Sequence, residues 1–163
     1  MKQEIKQAFN EQGYSFLLSI QEKAIPQILS RKNLFIQAAT GSGKTLAYLL
    51  PALEIANSAS NDTQILIITP TRELALQVSE VAKNTANYSK HHIVTVIGGL
   101  DIHKQENALR HRPTIIIGTP GRLMDLYSQK KIDLSHLLLC VVDEVDMVIS
   151  TGQRKETEYL LQH

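Results

Sequence analysis

The chain has 163 residues, 43% of them hydrophobic and 20% charged. That is the length and composition of one globular domain, and it excludes a disordered chain. The formal net charge is +1, so no bulk basic field marks the chain for nucleic acid, and any polyanion must be met by a few placed groups. A single cysteine, Cys140, excludes an internal disulfide and fits a reducing compartment.

Taken in chain order, the first apolar run is Leu34–Ala38, predicted as a strand, which passes into Thr40-Gly41-Ser42-Gly43. Leu46, Leu49, Leu50 and Leu53 then repeat at helical spacing, and the polar run Asn57–Asp62 reads as a surface loop. Gln64–Thr69 is the second predicted strand and ends in Pro70-Thr71-Arg72; Leu74, Val78, Val81 and Ala82 mark the helix after it. Ile93–Ile97 and Thr114–Gly118 are the third and fourth strands, the fourth running into Thr119-Pro120-Gly121-Arg122. Leu138–Asp143 is the fifth and meets Glu144. The runs are apolar on consecutive positions rather than alternating, so both faces of each strand are expected to be covered. The alternation of strands and helices predicts an α/β domain with a mostly parallel sheet and helices on both faces. The polar punctuation then gathers beyond the carboxyl ends of the strands, where such sheets bind ligands.

Ala38-Ala39-Thr40-Gly41-Ser42-Gly43-Lys44-Thr45 has the composition of a phosphate cradle between a strand and a helix. Glycines let successive backbone N–H groups curl towards an anion, and the helix N-terminus adds partial positive charge. Lys44 can reach β- and γ-phosphates, and the Thr45 hydroxyl can ligate Mg²⁺. Ala39 to Thr45 are therefore the expected nucleotide contacts. At the end of the fifth strand, Asp143 can hold a hydrated Mg²⁺, a hard cation that keeps most of its waters. Glu144 then stands where it can orient or deprotonate a water near the γ-phosphate.

At these motifs the chain resembles the first RecA-like domain of the DEAD-box RNA helicases. Gly13-Tyr14 followed by Ile20-Gln21 resembles the family's Q motif, Ala38–Thr45 its motif I, and Pro70-Thr71-Arg72-Glu73-Leu74-Ala75 its motif Ia. Gly98-Gly99 and Thr119-Pro120-Gly121-Arg122 resemble the two parts of motif Ib, and Asp143-Glu144-Val145-Asp146 resembles motif II. Leu17-Leu18 stands where the family usually has Pro-Thr, and Val145 where it has alanine. The likeness covers nearly the whole chain, read as one domain, residues 1–163.

The resemblance implies a RecA-like P-loop NTPase that uses ATP and Mg²⁺ and binds the RNA backbone without sequence preference. Gln21 would hydrogen-bond adenine, and Asp146 would tie motif II to its neighbours. Thr71, Arg72, Gly99, Thr119 and Arg122 would touch the RNA sugar-phosphate backbone, and Lys44 and Glu144 would serve hydrolysis. No string resembling motif III follows Asp146, and no second RecA-like domain with its arginine fingers is present. The chain is therefore expected to bind nucleotide and barely hydrolyse it alone, since a missing arginine finger costs ~10³–10⁵ in rate. Unwinding of RNA duplexes is expected of a longer protein; a DNA-directed translocase and an ATP-gated RNA clamp without unwinding are the alternatives. A cytoplasmic protein without membrane contact is expected, because Ala47–Ala56 and Leu137–Val142 are too short to span a bilayer and Met1-Lys2-Gln3-Glu4 opens no signal-peptide core. Cys140 reads as a packed core thiol, and the histidines lack metal spacing.

Overall fold

A computed structural model describes residues 1–39 and 41–162. In chain order, α1 spans Gln3–Glu11, α2 Ser19–Leu29 and α3 Lys44–Ile55; β1 follows at Ile65–Ile68 and α4 at Arg72–Thr85. Next come β2 at Ile93–Val96, α5 at Ile102–Arg110, β3 at Ile115–Gly118 and α6 at Pro120–Ser128. The last elements are β4 at Leu139–Val142, α7 at Val145–Ser150 and α8 at Arg154–Leu161. The strands form one parallel sheet in the order β2-β3-β1-β4.

Two apolar clusters cover the two faces of this sheet, and the strand residues divide between them by alternation. Ile65, Ile67, Ile115 and Ile117 join Leu49, Leu50, Leu53 and Val78 beneath α1 to α4. Leu66, Ile68, Ile116 and Val96 join Leu109, Leu123, Leu126 and Leu160 beneath α5, α6 and α8. Burial on both faces is why β1 and β3 read as unbroken apolar runs, whereas β4, at the sheet edge, is only half-buried against the expectation that every strand would be covered. Helix α3 is buried at every residue from Leu46 to Leu53, as befits a helix enclosed by α1, α2 and α4. Ile67 is fully buried in the central strand, so Ile67→Val should cost about 1 kcal/mol. Thermal unfolding checks this: a domain of this size loses roughly 2–4 °C per kcal/mol.

Four of the predicted strands form, each within a residue of its expected ends. The fifth is a correction. Leu34–Ala38 lies in no strand among the described residues, and Phe35 is 78% exposed. A strand exists by exchanging backbone hydrogen bonds with a neighbour. This segment has none: β1 is already flanked by β3 and β4, and the outer edge of β4 carries no strand. Just before this segment, the Arg31 guanidinium donates to the Leu138 carbonyl at 3.5 Å. Helices α1 and α2, which had no counterpart in the sequence reading, pack their buried residues Ile5, Phe9, Ala24 and Ile28 into the first cluster. No helix among the described residues is long and apolar enough to cross a membrane.

Candidate functional site

The phosphate loop turns on two glycines in left-handed conformation, Gly41 at φ +79° and Gly43 at φ +89°. Gly43 is required twice over. A Cβ there would lie 2.6 Å from Gln21 Nε2 and 2.8 Å from Leu18 Cδ1, in a conformation that side chains resist. The turn delivers Lys44 as the first residue of α3, so the loop faces that helix's free N–H groups. Ser42 Oγ is buried and has no hydrogen-bond partner among the described residues. A buried hydroxyl in that state is a donor lacking its acceptor, which suits a phosphate. Ala39 is exposed at the mouth of the loop, and its carbonyl accepts the Ser42 N–H at 3.2 Å. Thr40, predicted to line the same cradle, lies outside the described residues.

Gln21 stands directly behind this loop and is 2% exposed. Its Oε1 accepts the Leu18 N–H at 2.9 Å, a reciprocal cap of α2, and its Nε2 donates to the Gly43 carbonyl at 3.2 Å. The amide thus braces the loop from the N-terminal helices. One amide hydrogen and further lone pairs remain beyond these two bonds.

Opposite the loop, β4 ends at Val142 and delivers Asp143 and Glu144. Glu144 holds a left-handed backbone at φ +47°, ψ +52°, uncommon for a side-chain-bearing residue and the kind of local strain found at working sites. Its N–H donates to Asp143 Oδ1 at 2.9 Å, and its Oε1 meets Lys44 Nζ at 3.3 Å. The two ends of the site, a hundred residues apart in sequence, therefore touch. Tyr48, which the sequence reading did not single out, also enters the site: its hydroxyl donates to Asp143 Oδ2 at 2.8 Å. Burial, then the negative charge of Asp143, pushes this hydroxyl far above the ordinary tyrosine range, so it stays protonated. The one available signal was spacing, since Tyr48 falls one turn after Thr45 on the same helix face. Thr45 and Asp143 offer hard oxygen donors from facing elements. No cluster of three acidic, histidine or cysteine residues exists among the described residues. Few protein ligands are what Mg²⁺ takes when phosphates and waters supply the rest.

The candidate RNA contacts follow along the same sheet edge. Thr71 and Thr119 are the N-cap residues of α4 and α6, immediately beyond β1 and β3. Thr71 Oγ1 accepts the Leu74 N–H at 3.2 Å, whereas the Thr119 side chain makes no capping bond. Gly99, at φ +78°, is pressed against Arg72: a Cβ there would come 2.2 Å from Nη1. The structure thus brings together Arg72, the first residue of α4, and Gly99 of the loop after β2. Arg122, in the first turn of α6, has its Nε shielded from solvent with no partner among the described residues. Asp146 is exposed in α7 and has no hydrogen bond or ion pair among the described residues. Cys140 is half-buried in β4, and burial pushes its thiol up to about 12, consistent with a packed thiol.

Gly99→Ala tests the Arg72 contact. The new methyl would displace the guanidinium, and RNA binding should weaken evenly across sequences, with the log–log salt slope reduced by about 1. Fluorescence anisotropy of labelled single-stranded RNA over a salt series checks both.

The DEAD/DEAH box helicase family profile matches residues 18–163. The chain is 40% identical over 99% of its length to the ATP-dependent RNA helicase CshA of Listeria monocytogenes, covering 31% of that protein. It is 36% identical over its full length to the DEAD-box ATP-dependent RNA helicase CshA of Geobacillus kaustophilus, covering 35% of it. The chain therefore spans about a third of the length of these curated relatives. Among solved structures, a DEAD box protein from Methanococcus jannaschii superposes with TM-score 0.94 at 32% identity, over 99% of this chain and 44% of that one. A hypothetical ATP-dependent RNA helicase from Sulfolobus tokodaii superposes with TM-score 0.92 at 36% identity, over 99% of this chain and 47% of that one.

Proposed function

Since the chain belongs to the DEAD/DEAH box helicase family, we propose that it is the ATP-binding RecA-like module of an RNA helicase, which binds Mg²⁺ and ATP and grips the RNA backbone. The observation that carries this reading is the Lys44–Glu144 contact at 3.3 Å. It supports the reading because Lys44 opens α3 and its partner Glu144 follows Asp143 at the end of β4.

In this reading the N–H groups of Gly41 to Thr45 and the orphaned Ser42 hydroxyl receive the phosphates. Lys44 leaves Glu144 for the β- and γ-phosphates, and the freed Glu144 carboxylate accepts a proton from the attacking water at Oε1. Thr45 and Asp143 would hold Mg²⁺, which supplies charge neutralisation at the phosphates when bound. Gln21 holds the Gly43 carbonyl and keeps the cradle in shape; its remaining amide hydrogen is the group available to adenine. Thr71, Arg72, Gly99, Thr119 and Arg122 form a contact line for phosphates and sugars that carries no base information.

Duplex separation and rapid hydrolysis are assigned to the domain working with a second RecA-like domain, whose arginine would stabilise the transition state. Alone, the chain is expected to bind nucleotide and turn it over barely. The test joins this domain to a second RecA-like domain and compares RNA and DNA duplexes with ATP present. Separation of RNA duplexes alone is the expected result. Equal separation of DNA would replace the reading by a DNA translocase, and ATP-dependent RNA binding without separation would replace it by a clamp.

A further inference from the structure

Asp143 is held at both carboxylate oxygens, but by partners of different kinds. The Glu144 N–H on Oδ1 is the next residue's own backbone, a bond that the turn forms locally. The Tyr48 hydroxyl on Oδ2 comes from another element, the second turn of α3. Tyr48 is 5% exposed, so its hydroxyl cannot exchange this partner freely for water. Thr45 stands one turn earlier on the same face of the helix. A single buried phenol on the helix that carries Thr45 therefore holds the carboxylate at the strand end.

We propose that Tyr48 is a positioning residue for the divalent cation, holding Asp143 in one rotamer at the end of β4. This rests on the reading that Thr45 and Asp143 hold Mg²⁺. Each Asp143 oxygen keeps a lone pair beyond its protein hydrogen bond, and with the carboxylate fixed these point one way. Carboxylates around metals are commonly held by such outer partners, whose loss costs about 10–100-fold in metal affinity. Without the hydroxyl, Oδ2 loses its one cross-element donor among the described residues. The carboxylate is then free to turn.

A purely structural tyrosine would behave differently. Tyr48→Phe keeps the buried ring, and deleting one ordinary hydrogen bond would lower stability without altering the cation requirement. The experiment uses the 163-residue chain and the fluorescence of N-methylanthraniloyl-ADP, measured first in EDTA and then during titration with MgCl₂. Thermal melting of both proteins confirms that they are folded. The Mg²⁺-free affinity is expected to be the same in wild type and Tyr48→Phe, while half-saturating Mg²⁺ rises at least about tenfold in the variant. The variant should also add little when built into Asp143→Asn, because both act through one carboxylate. An unchanged Mg²⁺ requirement in Tyr48→Phe overturns the proposal, even if the melting temperature falls. A wild-type protein that binds the nucleotide with no Mg²⁺ dependence would remove the roles of Thr45 and Asp143 themselves, and this proposal with them. The wild-type titration thus separates the two failures.

Discussion

Glu144→Gln should lower ATP hydrolysis by about 10²–10⁴-fold, the usual contribution of a positioned general base, while leaving nucleotide binding intact or slightly tighter. The sign of the binding change follows from the Lys44–Glu144 contact. Lys44 Nζ lies 3.3 Å from Glu144 Oε1, with the two side chains 24% and 36% exposed. A phosphate entering the loop must draw Lys44 away from that carboxylate. An ion pair so open to water is worth only ~0.2–1 kcal/mol, so its removal can improve affinity by no more than about fivefold. The measurement is single-turnover hydrolysis with RNA present, on this domain joined to a second RecA-like domain, alongside ADP titration by calorimetry. A variant that hydrolyses at the wild-type rate would take Glu144 out of the chemistry. One that loses affinity by tenfold or more would show that the carboxylate builds the pocket rather than serving the reaction.

Lys44→Ala should fail in both measurements, and that contrast makes the pair informative. The lysine is the first residue of α3 and the only cation in contact with Glu144 among the described residues. A charge-assisted hydrogen bond to phosphate contributes about 1.5–3 kcal/mol, so nucleotide affinity should fall roughly 10–100-fold. Because the same ammonium faces charge that grows during phosphoryl transfer, the rate with bound ATP should fall by a further ~10²–10³. Folding should be little affected, since the ion pair with Glu144 is open to water, with side chains 24% and 36% exposed. Retained affinity in Lys44→Ala would move the phosphate site elsewhere. Lost affinity accompanied by a lower melting temperature would make Lys44 a structural cation.

Much of the sheet was legible because its chemistry is local. Ile65–Ile68 and Ile115–Gly118 are continuous apolar runs between turn-forming residues, and only a strand covered on both faces calls for that composition. The loop glycines were legible because left-handed turns restrict residue type at single positions, whereas Thr71 and Thr119 were singled out only through the family resemblance. Leu34–Ala38 carried the same apolar signal and still formed no strand. Nothing within the run records whether a neighbour will be present to take its hydrogen bonds. The N-terminal helices were not anticipated because their apolar residues serve a face supplied by α3 and α4, far along the chain. Tyr48 was passed over for the same reason: a tyrosine in a leucine-rich helix reads as core until a carboxylate arrives beside its hydroxyl.

By itself the amino-acid order determined the chemistry: a cradle of backbone amides with one lysine and one hydroxyl, a pair of carboxylates after an apolar strand, and loops ending in threonine and arginine. Those properties depend on residues a few positions apart, where short-range sterics and hydrogen bonding decide the outcome. The tertiary structure alone decided which of these groups meet. The order β2-β3-β1-β4 places β4 beside β1, and α3 packs so that Lys44 faces Glu144 and Tyr48 faces Asp143. Likewise, Gly99 is laid against Arg72. Such meetings depend on pairing and packing between distant segments, and that information exists only once the whole core has closed.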